Sequence, residues 1–216
     1  AQIDYRVREG RRFLFGRAEI GPLPPGARPP EDFRPGANAR TARIQDAIDG
    51  ALRDWRETGH AKARIVRQDI AARHPDHRLD VRLDIDPGPR LRFGALAVGG
   101  ESAVRPERLR AIAGLPRGAL FHPREIDRAT ERLRRTETFR AVALREAERA
   151  NPDGTLDITA TVQDAPPRRI GFGAELDSED GATLTGYWLH RNLLSGAERF
   201  RIEGEITGIG TGNERP

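Results

Sequence analysis

The sequence predicts an α+β chain built from two tandem β-α-α-β-β units, each a three-stranded sheet with helices on one side, followed by a run of alternating strands. Three observations carry this. Segments recur at a constant spacing of 78 residues: "RRFLFGRAEIG" at 11–21 is repeated as "PRLRFGALAVG" at 89–99, pairing Phe15 with Phe93 and Gly16 with Gly94. Apolar stripes at helical spacing occupy the middle of each unit, and period-two alternation fills its end. Beyond residue 166 only period-two alternation remains.

Taken in order, residues 1–10 contain "IDYRVREG", which matches "LDVRLDIDPG" and "LDITATVQD" and reads as the last strand of a preceding unit. Residues 11–88 form the first whole unit. Its opening strand is followed by "GPLPPGARPPEDFRPG", whose six prolines predict an irregular loop in place of a first helix. Ile44, Ile48, Ala51, Leu52 and Trp55 make one helical stripe, ended at Gly59. A strand follows near 61–70, then the turn "HPDH" and the strand "LDVRLDID".

Residues 89–166 form the second unit, in which both helices are legible. "RPERLRAIAG" places Pro106 in a first turn and Gly114 just past the end. "HPREIDRATERLRRT" puts Ile126, Ala129 and Leu133 on one face. "FRAVALREA" alternates Phe139, Ala141 and Ala143 against Val142 and Leu144, and "LDITATV" sets Leu156, Ile158, Ala160 and Val162 on one face.

In residues 167–216, the segments 169–177, 182–190 and 198–206 each alternate over nine residues, near the ~9–11 of a tilted transmembrane strand. Ile170, Phe172, Ala174 and Leu176 face one way and Gly171, Gly173, Glu175 and Asp177 the other; "DG" at 180–181 signals a hairpin. Alternation alone suits either a soluble β-meander with one buried face or the first strands of a membrane barrel. A barrel closes with at least about eight strands. Three fit here, so the chain is expected to be a piece of a longer protein, with strand edges that invite pairing with a second copy.

Composition narrows function. Thirty-seven basic residues stand against 33 acidic ones, and all the basic residues but Lys62 are arginine. The signs are interleaved, unlike the clustered basic face of a nucleic-acid binder, so a soluble basic nucleic-acid-binding protein is the disfavoured reading of a different class. There is no cysteine and therefore no thiolate chemistry. The five histidines (His60, His74, His77, His122 and His190) fall in different elements without metal-ligand spacing, and "GFGAE" and "GIGTG" lack the remainder of a dinucleotide motif. Neither a catalytic constellation nor a cofactor or metal site is read from the residues. Mean hydropathy is −0.66, and no apolar run reaches the length of a transmembrane helix.

The tandem unit and its sequel resemble the POTRA domains and early barrel strands of the BamA/TamA superfamily. "GPRLRFGALAVGG" resembles the opening POTRA strand, and "WRETGHAKARI" and "LRRTETFRAV" resemble its helix-end pattern. "IGFGAELDSEDGATLTGYWLHRNLLSGAERFRIEGE" resembles the first barrel strands, with Ser195 where glycine is usual in the "RNL…G" turn. The resemblance is nearest to the TamA branch; the BamA and two-partner-secretion branches stay open, and the two-partner-secretion transporters are the nearer rival in function. It implies an outer-membrane barrel with POTRA units in the periplasm, no cofactor, outer-membrane lipid around the barrel, and client outer-membrane or secreted polypeptides such as autotransporters. An inner-membrane-anchored partner of TamB type is implied as well. The second strand of each unit is then expected to be a polypeptide-binding edge, with Lys62, Arg64, Val66, Arg140, Val142 and Leu144 on it. Ile170, Phe172, Ala174 and Leu176 are expected on the barrel's seam strand.

Overall fold

The computed structural model describes residues 12–177 and 181–209. The strand expected over 1–10, and the hairpin residues Glu179 and Asp180, lie outside them. Among the described residues there are three three-stranded sheets, in the orders β1-β3-β2, β4-β6-β5 and β7-β8-β9. The chain divides into two compact units, one running to Arg92 with 119–123 and 152–155, the other comprising 93–118, 124–151 and the residues from Leu156 onward.

In the first repeat, β1 (Leu14–Gly21), α1 (Thr41–Glu57), β2 (Arg64–Arg73) and β3 (Arg78–Asp86) follow one another. β1 pairs parallel with β3, because the connection between them crosses over through loop and helix, and β2 pairs antiparallel with β3 across the 74–77 turn. Gly59 at φ +98° follows the helix, a conformation that carries no steric penalty only in glycine. The core holds Phe15, Phe33, Ile44, Ala47, Val81 and Leu83. Within the predicted helical stripe, Ile44 and Ala51 are buried, and Leu52 and Trp55 are half-buried. The proline-rich segment is irregular, as expected, but it is not loose. Phe33 is 3% exposed with its ring edge-on to Phe15 at 5.3 Å, and Phe15 N–H and C=O bond to Ala37 O and Gly36 N–H.

The second repeat contains β4 (Arg92–Gly99), α2 (Pro106–Ala113), α3 (Pro123–Arg135), β5 (Phe139–Glu146) and β6 (Thr155–Asp164). α2 begins at Pro106 and ends on Gly114 in the left-handed region, and Arg132 Nε donates to Ala113 O (2.9 Å), satisfying a terminal carbonyl. Leu109, Ala113, Ala129 and Leu133 pack with Phe139, Val142 and Val162. Strict alternation in β5 fails at one place: the pairing register shifts between Phe139 and Ala141, a bulge at Arg140. That extra residue turns Phe139 onto the buried side with Val142, not onto the side of Ala141 and Ala143 as alternation predicts.

The repeated Phe-Gly pair has one explanation in both sheets. Phe15 and Phe93 are fully buried, and a Cβ on Gly16 or Gly94 would collide with the carboxylate of Asp80 or Asp157 on the neighbouring strand. Asp157 uses the gap to accept the Ala95 N–H at 2.7 Å, and Asp80 to pair with Arg73 at 3.1 Å.

The third sheet is an antiparallel meander of β7 (Arg168–Asp177), β8 (Gly181–Arg191) and β9 (Arg199–Ile209), of 10, 11 and 11 residues. The strands are slightly longer than the nine-residue segments read from alternation.

Candidate strand edges and the amphipathic sheet

β2 and β5 are outer strands of their sheets, so each carries a row of backbone groups not used by its own sheet. The two edges differ in their side chains. β2 contributes none to the core cluster of its repeat, and apart from Ile65 every residue on it is exposed. Pairing with the buried Leu83 and Val81 puts Gln68 and Ile70 on the helix side of the sheet, where Ile70 remains 46% exposed. Val66 lies at a shift in register between Ile65 and Arg67 and is 55% exposed. Arg64 pairs with Asp86 at 3.1 Å and Arg67 with Asp69 at 2.8 Å, so charge covers the edge without accumulating. Lys62 lies in the turn ahead of β2, which begins at Arg64, so it is not an edge residue.

On β5, Arg140 is exposed at the bulge, but Val142 is 7% exposed and Leu144 packs against the core. The helix-side face of this strand is already filled. Arg64 and Val66 thus lie on one sheet, Arg140, Val142 and Leu144 on another and Lys62 on neither, so the six are not assembled into one site.

The seam residues Ile170, Phe172, Ala174 and Leu176 all lie on β7, an outer strand, and on a single face. Cross-strand pairing extends that face over the sheet: Ile170 opposes Trp188, which opposes Ile202, and Ala174 opposes Leu184, which opposes Ile206. Phe172 is 88% and Leu176 86% exposed, and Ile170, Ile202 and Ile206 are exposed too. The reverse face carries Thr183, Thr185, Arg201, Glu203 and Glu205 with the seam glycines. Those glycines are not merely weak packing. Gly171 lies under the Tyr187 ring, whose other neighbour is the Arg201 guanidinium 4.4 Å from the ring centroid. Gly173 faces Thr185, and Gly186 faces Phe172 on the apolar side.

One contact was not legible in the sequence. The 192–198 turn between β8 and β9 docks on the second repeat: Arg105 N–H donates to Ser195 O at 3.1 Å and Arg108 Nε to Gly196 O at 3.1 Å. Arg199 pairs with Glu137 at 2.8 Å. Inside the turn, Asn192 Oδ1 accepts the Ala197 N–H, and the Glu198 carboxylate accepts those of Leu194 and Gly196. Its own backbone N–H first, then those of Gly196 and Leu194 and the charge of Arg105, hold the Glu198 carboxyl below its ordinary value. Asn192, Ser195 and Ala197 all have positive φ. Ser195 therefore occupies a left-handed position of the kind that favours glycine, the residue usual there in the resembled turn.

No helix among the described residues is long and apolar enough to cross a membrane, which says nothing of strands. No protein-family model and no curated protein sequence matches the chain. Solved structures do. BamA from Haemophilus ducreyi lacking POTRA domains 1–3 superposes with a TM-score of 0.66 at 19% identity, covering 81% of this chain and 33% of that one. The POTRA3–5 segment of Haemophilus influenzae BamA gives a TM-score of 0.59 at 19% identity, covering 72% and 63%. The chain thus spans about a third of the first and just under two thirds of the second. Residues 1–166 are less than 81% of the chain, so the H. ducreyi match extends into the region of the third sheet. At the level of fold, the chain is similar to these BamA structures, with POTRA-like three-stranded units leading into an antiparallel meander.

Proposed function

We propose that this chain is the POTRA-to-barrel segment of an outer-membrane assembly or secretion factor of the TamA type. Its two repeats stand in the periplasm, and β7–β9 begin a transmembrane barrel. The observation that carries the reading is the uncovered apolar face of the third sheet, backed by a polar face on the same strands. Soluble sheets bury such a face; transmembrane barrels turn it to lipid. Clients are outer-membrane or secreted polypeptides, an inner-membrane-anchored partner of TamB type supplies the periplasmic side, and no cofactor takes part. β7 is one side of the seam at which client strands enter.

Client chains dock by strand addition, in which main-chain hydrogen bonds supply affinity with little demand on sequence. Of the two edges β2 is the receptor, because its helix-side face is open whereas that of β5 is filled by Val142 and Leu144. Arg64 and Val66 flank the incoming strand. Two experiments test this. The native protein should fractionate with the outer membrane and show heat-modifiable gel mobility; a soluble species without that shift would sink the barrel. A photo-crosslinker at Val66 should capture client polypeptide and one at Ala143 on β5 should not. Equal capture at both would refute the assignment of the edge.

A further inference from the structure

Cross-strand rows on the apolar face of the third sheet end at the margin beside the second repeat. Moving toward that margin, Ile170–Trp188–Ile202 is followed by a last row of Arg168, His190 and Phe200. Residues in one row share one face, so Arg168 is a cation on the apolar side, where the His190 and Trp188 rings meet at 5.7 Å with their planes tilted by 50° and Trp188 meets Phe200 at 6.1 Å.

The arginines around this margin are not equivalent. Arg191 donates to Pro166 O at 3.2 Å, Arg199 pairs with Glu137, and Arg201 pairs with Glu203 at 3.0 Å while covering Tyr187. Arg105 and Arg108 hold the 192–198 turn. Arg168 is exposed and makes no ion pair among the described residues, and His190 Nδ1 beside it has no hydrogen-bond partner among them.

From these positions we infer that this margin seats the headgroups of an anionic phospholipid leaflet, with the Arg168 guanidinium as phosphate ligand. The inference rests on the membrane reading above. An arginine on an apolar face keeps its stem on hydrocarbon and carries its fork to the headgroup level, where two parallel N–H groups match a phosphate. Trp188, one row further in, belongs at the same interface because its ring is apolar and its N–H is not. A bilayer fits better than a peptide: the rows beyond Arg168 form an open face three strands wide, not a slot, and Arg168 is the one arginine on that face among the described residues. Anionic lipid is favoured over zwitterionic lipid because the phosphate of the latter already has a choline or amine beside it.

The test is co-sedimentation of the chain with phosphatidylglycerol vesicles and, separately, phosphatidylcholine vesicles. Tighter binding to phosphatidylglycerol is expected, with Arg168→Gln weakening it roughly fivefold and leaving phosphatidylcholine binding unchanged. Arg168→Lys should fall between, keeping the charge and losing the fork. Arg53→Gln, an exposed arginine on α1, should change nothing. Equal affinity for the two lipids, or equal losses from the Arg168 and Arg53 variants, overturns the headgroup site and leaves the barrel standing. Binding to neither lipid overturns both.

Discussion

The two repeats share a spacing, a buried Phe-Gly pair and a sheet order, yet they fill their interiors differently. In the second, α2 and α3 together reach across to β5 and bury Phe139 and Val142. In the first, the proline-rich loop stands in place of α2. It contributes Phe33 beside Phe15, and the core closes over β1 and β3 without using β2. One helix exchanged for one aromatic side chain thus decides whether the third strand belongs to the interior. A tandem repeat need not repeat its binding surface.

This contrast can be broken most sharply with a buried charge. Val142→Asp places an unpaired carboxylate in the second core and should cost about 3 kcal/mol or more. Ile70→Asp on the open side of β2 should stay within about 1 kcal/mol. Amide hydrogen exchange resolved to each sheet reads both, and similar losses would mean that the edges are equally packed. Next in size, Phe33→Ala should destabilise the first repeat by about 3 kcal/mol, comparable to Leu109→Ala in the second, if the loop aromatic does the work of a helix. An effect below about 1 kcal/mol would show Phe33 to be incidental.

The smallest effect concerns the turn on the second repeat. Glu198 has a lowered folded-state pKa, so the stabilisation from its carboxylate is complete above its ordinary value of 4.5 and is lost as pH falls through the lower folded value. Exchange at the Leu194 and Gly196 amides should accelerate over that acid range and not near neutrality. Glu198→Gln should remove the acceleration and raise the exchange rate at pH values above that acid range, where the native carboxylate is ionised.

Legibility followed the range of the interaction. The repeat, α1 to α3 and the amphipathic rows of β7–β9 rest on local periodicity, and each could be read along the chain, whereas the edge position of β2 and β5 follows only from the family resemblance. The bulge at Arg140 could not, because an inserted residue looks like ordinary alternation until its partner strand is known, and alternation therefore puts Phe139 on the wrong face. Phe33 was hidden among prolines that signal loop, although a large aromatic inside such a segment is itself a hint of an anchor. The exposure of β2 depends on which helix is absent above it, a tertiary fact. The docking of the 192–198 turn joins residues some ninety positions apart through main-chain carbonyls, which leave no mark in side-chain pattern. Ser195 in a resembled glycine position was the one available clue.

The Gly16–Asp80 and Gly94–Asp157 notches bear on how each sheet finds its alignment. A strand that slips by two residues keeps every apolar side chain facing inward, so hydrophobic pattern cannot reject the error. A slip of two in the first sheet sets Asp80 against the Cβ of Leu14 or Ala18, and in the second it sets Asp157 against Arg92 or Leu96. Only the native alignment offers the carboxylate an empty place. The glycine therefore works as one half of a key, and the repeat carries its own proofreading of strand alignment at a single pair of positions.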